Sequence, residues 1–330
     1  ERVLIPGIME HIEKAGVHSG DSMAVYPGVT LTKDEISTLV DYTTRISLGI
    51  KIKGLINIQF VITSKSLSNN ESHSRKSIKG NIEPEIYVLE ANPRASRTIP
   101  FISKLTGVPM VYLATKVIQG KSLKELGYEG GLCANNGLIG VKAPVFSMSK
   151  LSGVDTYLGP EMKSTGEVMG LDINLHGAIT KALTAAGLML QKNGAILLTI
   201  ADKDKANAVP LITALSKNNY KLYATEGTAT MIHALGFEVT AVAERLGKGH
   251  PNVIDVVNQG LVNAVVNTSS PSADTIRDGF YIRRAATEKN IPCYTSIDTA
   301  TTAAESLLHG TSAYSVLPMH HYLQSARGEV

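Results

Sequence analysis

The stretch Ile86-Tyr-Val-Leu-Glu-Ala-Asn-Pro-Arg-Ala-Ser-Arg-Thr98 decides how this chain is read. Its first four residues are rich in β-branched and aromatic side chains, the composition of a strand. In extended backbone alternate side chains share a face, so Glu90 and Asn92 project from the same side at the strand's end. Pro93 stops further pairing, and Arg94 and Arg97 follow on the loop. A pair of hard-oxygen ligands beside two permanent cations is what a magnesium–phosphate site needs: oxygens for the metal, guanidinium groups for phosphoryl oxygens. Gln59, in the apolar run Gly54-Leu-Ile-Asn-Ile-Gln-Phe-Val-Ile62, supplies a third oxygen if the two runs pair. Standing alone, E-x-N-P-R would read better as a strand end with a solvated ion pair.

It does not stand alone. The order Q-F … E-x-N-P-R-x-x-R-T resembles the metal-binding end of an ATP-grasp domain. PGIMEHIEKAGVHSGDS (6–22), SRTIPFISKLTGVP (96–109) and LGPEMKSTGEVMG (158–170) resemble the second synthetase half of the large subunit of carbamoyl phosphate synthetases. The similarity runs through nearly the whole chain and on into a methylglyoxal-synthase-like regulatory domain from about residue 188. It implies an α/β fold: an α+β ATP-grasp portion over 1–125, a connecting region over 126–187, and a doubly wound parallel sheet over 188–330.

The resemblance assigns roles residue by residue. Gln59, Glu90 and Asn92 would hold two Mg2+ or Mn2+ ions on the phosphates of ATP, with Glu90 bridging because it alone is charged. Arg97 matches a phosphate- and carbamate-contacting arginine, and Arg94 lies close enough to assist. Gly16, Val17, His18 and Ser19 match a segment lining the adenosine part. Glu13 and Asp21 match acidic positions that bind ornithine in some members. The third such position is Ala143 here, and a missing carboxylate partner costs a buried cation on the order of 2–5 kcal/mol, so ornithine activation is not expected.

The implied reaction is ATP-dependent phosphorylation of carbamate, itself derived from bicarbonate, to carbamoyl phosphate for arginine or pyrimidine biosynthesis. A glutamine amidotransferase small subunit is the implied partner of the full enzyme. The chain opens on Glu1-Arg-Val-Leu-Ile-Pro without an initiator Met and reads as part of a longer polypeptide. The lobe covering the phosphates should precede residue 1, so this stretch alone is expected to be inactive.

The second half carries an anion site on physical grounds too. Tyr223-Ala-Thr-Glu-Gly-Thr-Ala229 follows one strand pattern and opens a helix, and hydroxyls with backbone N–H groups at a helix N-terminus cradle phosphate. Thr225 and Thr228 are the side chains this singles out, with Lys205 adding charge. Asn267, Thr268 and Ser269 end another strand on the same rim, where ligands of open α/β sheets sit. In the family these positions, with Thr199, line a site for effectors such as UMP and, in some members, IMP. An arginine pair of some relatives is replaced by Ser270-Pro271-Ser272, which leaves the effector open. Arg283 and Arg284 are either anion partners or a solvated helix face.

A methylglyoxal synthase would place a catalytic Asp in the segment matching Leu246-Gly-Lys-Gly-His-Pro-Asn252, which has no carboxylate. The second half therefore reads as a binding module. Two alternatives stand beside the ligase reading: a purely regulatory nucleotide-binding module with 1–187 as scaffold, and a lyase resting on His250.

Composition excludes little. Net charge is +3 in 330 residues with no dense Lys/Arg run, so nucleic acid is not the expected partner. No apolar run reaches the roughly 18 residues of a membrane span, and no signal peptide opens the chain. Cys133 and Cys293 are far apart and form no C-x-x-C, which points to a reducing cytoplasm.

Helices are expected over 32–46, with Thr32 as N-cap and Glu35 closing a capping box, and over 100–107, 111–119 and 175–190. A polar hairpin loop is expected over 64–84, a connector over 10–16 and an irregular run over 159–170. From 195 on, strands at 195–200, 221–224, 238–242, 263–267 and 292–296 alternate with helices at 205–217, 228–235, 251–259 and 281–289, the pattern of a parallel sheet.

Overall fold

A capping box opens the first long helix, Lys33–Gly49: Glu35 N donates to Thr32 Oγ1 at 3.3 Å and Thr32 N to Glu35 Oε2 at 2.7 Å. It belongs to one of two units in the computed structural model, which describes residues 2–63, 85–147, 155–243, 249–268, 273–308 and 316–326. The expected loop at 64–84 lies outside these residues.

The first unit comprises residues 1–8 and 28–135. Strands Asn57–Thr63 and Glu85–Asn92 pair antiparallel, with Gln59 directly opposite Glu90 and Asn57 opposite Asn92. Helices Thr98–Thr106 and Met110–Ile118 follow. The first buries Ile99, Phe101, Ile102 and Leu105 and ends at Gly107, whose φ of 73° is left-handed. Leu4–Ile5 pairs in parallel with Gly131–Leu132.

The second unit comprises residues 9–27 and 136–330. Its four-stranded antiparallel sheet runs in the order Glu10–His11, Ala24–Tyr26, Ile139–Val145, Gly166–Asp172. Two segments read as irregular thus carry strands. Two polar residues at 10–11 offer no period to detect. In Gly166–Asp172 the alternation is broken because Gly170 faces a helix instead of contributing a side chain. That helix, Leu175–Ala186, stops at Gly187 with φ 70°, earlier than the expected end at 190.

The parallel sheet follows in the order Thr240–Val242, Lys221–Thr225, Ala195–Thr199, Ala264–Asn267, Cys293–Tyr294. Every pairing is parallel and the order reverses beside the central strand, so this is a doubly wound α/β sheet as expected. Its helices are Val209–Lys217, Glu226–Ala234, Val253–Asn258, Ala273–Glu288 and Ile297–Leu308, with Met319–Ala326 after them. The last two went unpredicted.

Strand parity separates the two faces. Ile196 and Leu198 pack with Ala178, Ala182, Leu183, Leu211, Leu215 and Ala304, so one core spans the helix of the antiparallel sheet and one face of the parallel sheet. Leu197 points the other way, to Val253, Val256, Val265 and Ile282. A strand buried on both faces reads as a continuous apolar run, which Ala195-Ile-Leu-Leu-Thr199 is.

Candidate functional site

In the first unit, parity and register bring three oxygen-bearing side chains together. Glu90 and Asn92 are two apart on one strand, and Gln59 lies across from Glu90. Gln59 Nε2 donates to Glu90 Oε1 at 2.6 Å, and Asn92 Nδ2 donates to the same oxygen at 2.8 Å. The pairing that the sequence left conditional is therefore made. Among the described residues no three His, Cys, Asp or Glu side chains gather as a metal site. This group has one carboxylate and two amides, a donor set that suits a hard divalent cation and not a soft one.

The turn after the strand is held back against it: Asn57 Nδ2 donates to Ser96 Oγ at 3.1 Å, and Arg94 N to Asn92 O at 2.8 Å. The exposed Arg94 turns Nη1 onto Ala95 O at 3.0 Å. Arg97 is the residue that precedes helix Thr98–Thr106.

Gly16 to Ser19 lie in the second unit. Gly16 has φ 116°, and His18 Nδ1 accepts from Gly20 N at 3.0 Å, which fixes the ring within its own turn. The buried ammonium of Lys142 donates to Ser19 O at 2.7 Å. Asp21 is fully buried and takes Ser164 N on Oδ1 (2.9 Å) and Lys163 N on Oδ2 (2.7 Å). Glu13, 5% exposed, takes Thr299 Oγ1 at 2.6 Å and Met23 N at 2.8 Å. Burial pushes its carboxyl up to about 7, against the pull of Thr299, two backbone amides and Lys142.

Thr299 and Lys142 escaped the sequence reading. A lysine inside the apolar strand Ile139–Val145 was an available signal, since a buried cation must find acceptors. Nothing near Thr299 marks it.

The carboxyl ends of three parallel strands form the second cluster. Thr199 pairs in register with Asn267, whose Nδ2 donates to Thr199 Oγ1. Thr225 sits at the N-cap of helix Glu226–Ala234, and its hydroxyl reaches Thr228 Oγ1 at 3.4 Å. Thr228, 1% exposed, accepts from Ile200 N at 3.1 Å, and Thr268 Oγ1 from Ala201 N at 2.8 Å. Lys205 Nζ pairs with the exposed Asp202 at 2.7 Å and sits 3.4 Å from where a Cβ on Gly227 would lie. Thr199, Lys205, Thr225, Thr228 and Asn267 thus share one rim; Ser269 lies outside the described residues.

The two arginines of helix Ala273–Glu288 differ. Arg284 pairs with Glu288 four residues on, as a helix-face residue does. Arg283 is neither solvated nor open to a ligand. It is 1% exposed, with Nε on Asp155 Oδ1 at 2.6 Å, Nη2 on Asp155 Oδ2 at 2.5 Å, and Nη1 donating to Asn267 Oδ1. His250 Nδ1 is engaged by Asp255 Oδ2 at 2.6 Å, and that carboxylate also caps helix Val253–Asn258.

Residues 2–126, which take in Gln59, Glu90 and Asn92, match the family "Carbamoyl-phosphate synthase L chain, ATP binding domain", and residues 207–295, which take in Thr225, Thr228 and Asn267, match "MGS-like domain". The chain is 50% identical, over 97% of its length, to the carbamoyl phosphate synthase large chain of Thermomicrobium roseum. It is thus related to that large chain and spans 28% of this relative's length. A crystal structure of methylglyoxal synthase from Elizabethkingia anophelis is 21% identical and covers 41% of this chain and 93% of its own; at a TM-score of 0.28 that likeness carries no weight. No single helix among the described residues is long and apolar enough to cross a membrane.

Proposed function

We propose that this chain is part of an ATP-dependent ligase that phosphorylates carbamate to carbamoyl phosphate, releasing ADP, in the cytoplasm. Residues 1–125 serve the nucleotide and its metal, 126–187 connect, and 188–330 bind a nucleotide effector, UMP in the first instance and IMP in the second. A glutamine amidotransferase subunit would deliver ammonia to the whole protein. The observation that carries the reading is the convergence of Gln59 and Asn92 on one oxygen of Glu90, two residues before a loop bearing Arg94 and Arg97, in a segment similar to an ATP-binding domain.

Magnesium or manganese fits this donor set, and when bound it would neutralise phosphate charge. Glu90 would carry the charge-assisted contact, and Gln59 and Asn92 would turn amide oxygens toward the ion. Arg94 and Arg97 would hold phosphoryl oxygens. In the parent chain, Mn2+ titration followed by electron paramagnetic resonance should saturate. Glu90→Gln should weaken that binding roughly tenfold or more, about 1.4 kcal/mol. Equal affinity in the two proteins would remove Glu90 from the metal role.

Calorimetric titration with UMP tests the rim. Saturable binding should fall roughly tenfold in Lys205→Gln, since an ammonium facing a phosphate is a charge-assisted partner. Thr228→Val, which keeps the side chain's shape, should lose it further. Binding unaffected by both substitutions would move the effector away from this rim; absence of binding would turn the titration to IMP.

A further inference from the structure

Four polar side chains share one face at one end of the strand pair in the first unit. Asn57 pairs in register with Asn92 as Gln59 does with Glu90, and residues two apart on a strand point the same way. The register shift lies beyond them, between Gln59 and Phe60, so this parity is intact. Gln59 and Asn92 both turn to Glu90 Oε1. Asn57 turns to the loop instead: its Nδ2 donates to Ser96 Oγ at 3.1 Å, 39 positions away in sequence. The bond is part-buried, so water competes with it less than at an open surface.

Ser96 stands where the loop becomes helix. Its carbonyl accepts from Ile99 N at 3.2 Å, and Ile99 is 5% exposed on the face that helix Thr98–Thr106 buries. At the other end of the loop, Arg94 N donates to Asn92 O at 2.8 Å. The run from Pro93 to Ser96 is therefore clasped at both ends by residues that face each other across the strand pair, Asn92 through its backbone and Asn57 through its side chain. Arg94 lies inside the clasp and Arg97 directly after it. Contacts to phosphoryl oxygens tolerate little slack: a misplacement of about 1 Å can cost on the order of 100-fold.

We propose that Asn57 is a positioning residue of the phosphate site: through Ser96 it fixes the loop bearing Arg94 and Arg97 relative to the Glu90 group. The inference rests on the reading of that group as a metal–phosphate site. The ligand class it serves is a polyphosphate chain that bridges a divalent cation and guanidinium groups. Metal affinity depends on Gln59, Glu90 and Asn92, whose contacts with one another do not pass through Ser96. Polyphosphate affinity depends on the metal group and the guanidinium groups being held at one spacing. Loss of the clasp thus spares the metal and weakens the polyphosphate.

Two titrations of the full chain, both followed by electron paramagnetic resonance, separate these effects. One uses Mn2+ alone and the other the preformed Mn2+–triphosphate complex. Asn57→Ala and Ser96→Ala should each keep Mn2+ affinity within about twofold of the parent and lower affinity for the complex roughly tenfold. Ser96→Thr, which keeps the hydroxyl, should restore it. The double alanine variant should lose no more than either single one, because both remove the same bond. Without ligand, amide hydrogen exchange at Arg94 and Ile99 should speed up roughly fivefold or more in the alanine variants and not in Ser96→Thr. Unchanged affinity for the complex, additive losses in the double variant, or unchanged exchange would each overturn the proposal. An equal loss of Mn2+ affinity would also overturn it, by making Asn57 part of the metal group. If the parent takes Mn2+ but not the complex, the phosphate reading fails and takes the positioning role with it; faster exchange in the alanine variants would then mark the clasp as a feature of the fold alone.

Discussion

Gly170→Ala is expected to cost about 3 kcal/mol or more, the upper range for overpacking a close-packed contact. The added Cβ would lie 2.0 Å from the Ala178 carbonyl oxygen and 2.6 Å from the Ala182 nitrogen. Both are backbone atoms, so no rotamer change relieves the clash; helix Leu175–Ala186 must move away from its sheet. Ala178 and Ala182 are themselves fully buried, and the helix sits in the core that continues to Leu198 and Leu215, so the shift is felt across that core. For a unit of this size the melting temperature should fall by roughly 6–12 °C. Gly166→Ala on the same strand, where an added Cβ meets nothing within 4 Å, should stay within about 0.5 kcal/mol of the parent. Equal melting temperatures for the two variants would mean that the helix does not approach the strand this closely.

Glu13→Gln is expected to stabilise the protein above neutrality, in a way only a pH series reveals. The Glu13 carboxyl rises from an ordinary 4.5 to about 7 on folding, so the folded state keeps a proton that the unfolded state has lost. Stability from this group is thus full below about 4.5 and is lost as pH rises through about 7. Subtracting the parent's unfolding free energy from the variant's isolates Glu13. The difference should climb between pH 5 and pH 8 by on the order of 3 kcal/mol. The amide introduced by Glu13→Gln retains an acceptor for Met23 N, so the fold should survive the change. A difference that stays level across that range would show that Glu13 titrates in the folded chain as it does unfolded.

Glu13 adjoins the turn from Gly16 to Ser22. Lys142 places its ammonium on Ser19 O, Glu13 binds the amide of Met23, and Asp21 is spanned by Lys163 and Ser164. Three buried ionisable side chains hold one short turn. Such an arrangement is costly to assemble and, once satisfied, is rigid. Rigidity there suits a segment proposed to line a nucleotide.

The sequence by itself determined what depends on a few neighbouring residues. The Thr32–Glu35 box marks the start of Lys33–Gly49, and Gly107 marks the end of Thr98–Thr106, because capping and left-handed backbone are local preferences. Alternating strand and helix patterns after residue 195 are enough for a parallel doubly wound sheet, since parallel strands need crossovers. Parity alone put Glu90 and Asn92 on one face. Tertiary structure alone decided which side chains meet. Gln59 reaches Glu90 only because the two strands pair in that register, and a slip of one residue would send it to the other face. Arg283 and Arg284 are neighbours in one helix and look alike in sequence. One meets an ordinary helix-face partner four residues on; the other is buried against Asp155, 128 positions away. Thr299 finds Glu13 across 286 positions. Local propensity acts over a turn of helix or a pair of strand residues, whereas the partner of a buried charge is chosen by how distant elements pack, and no spacing within the chain records it.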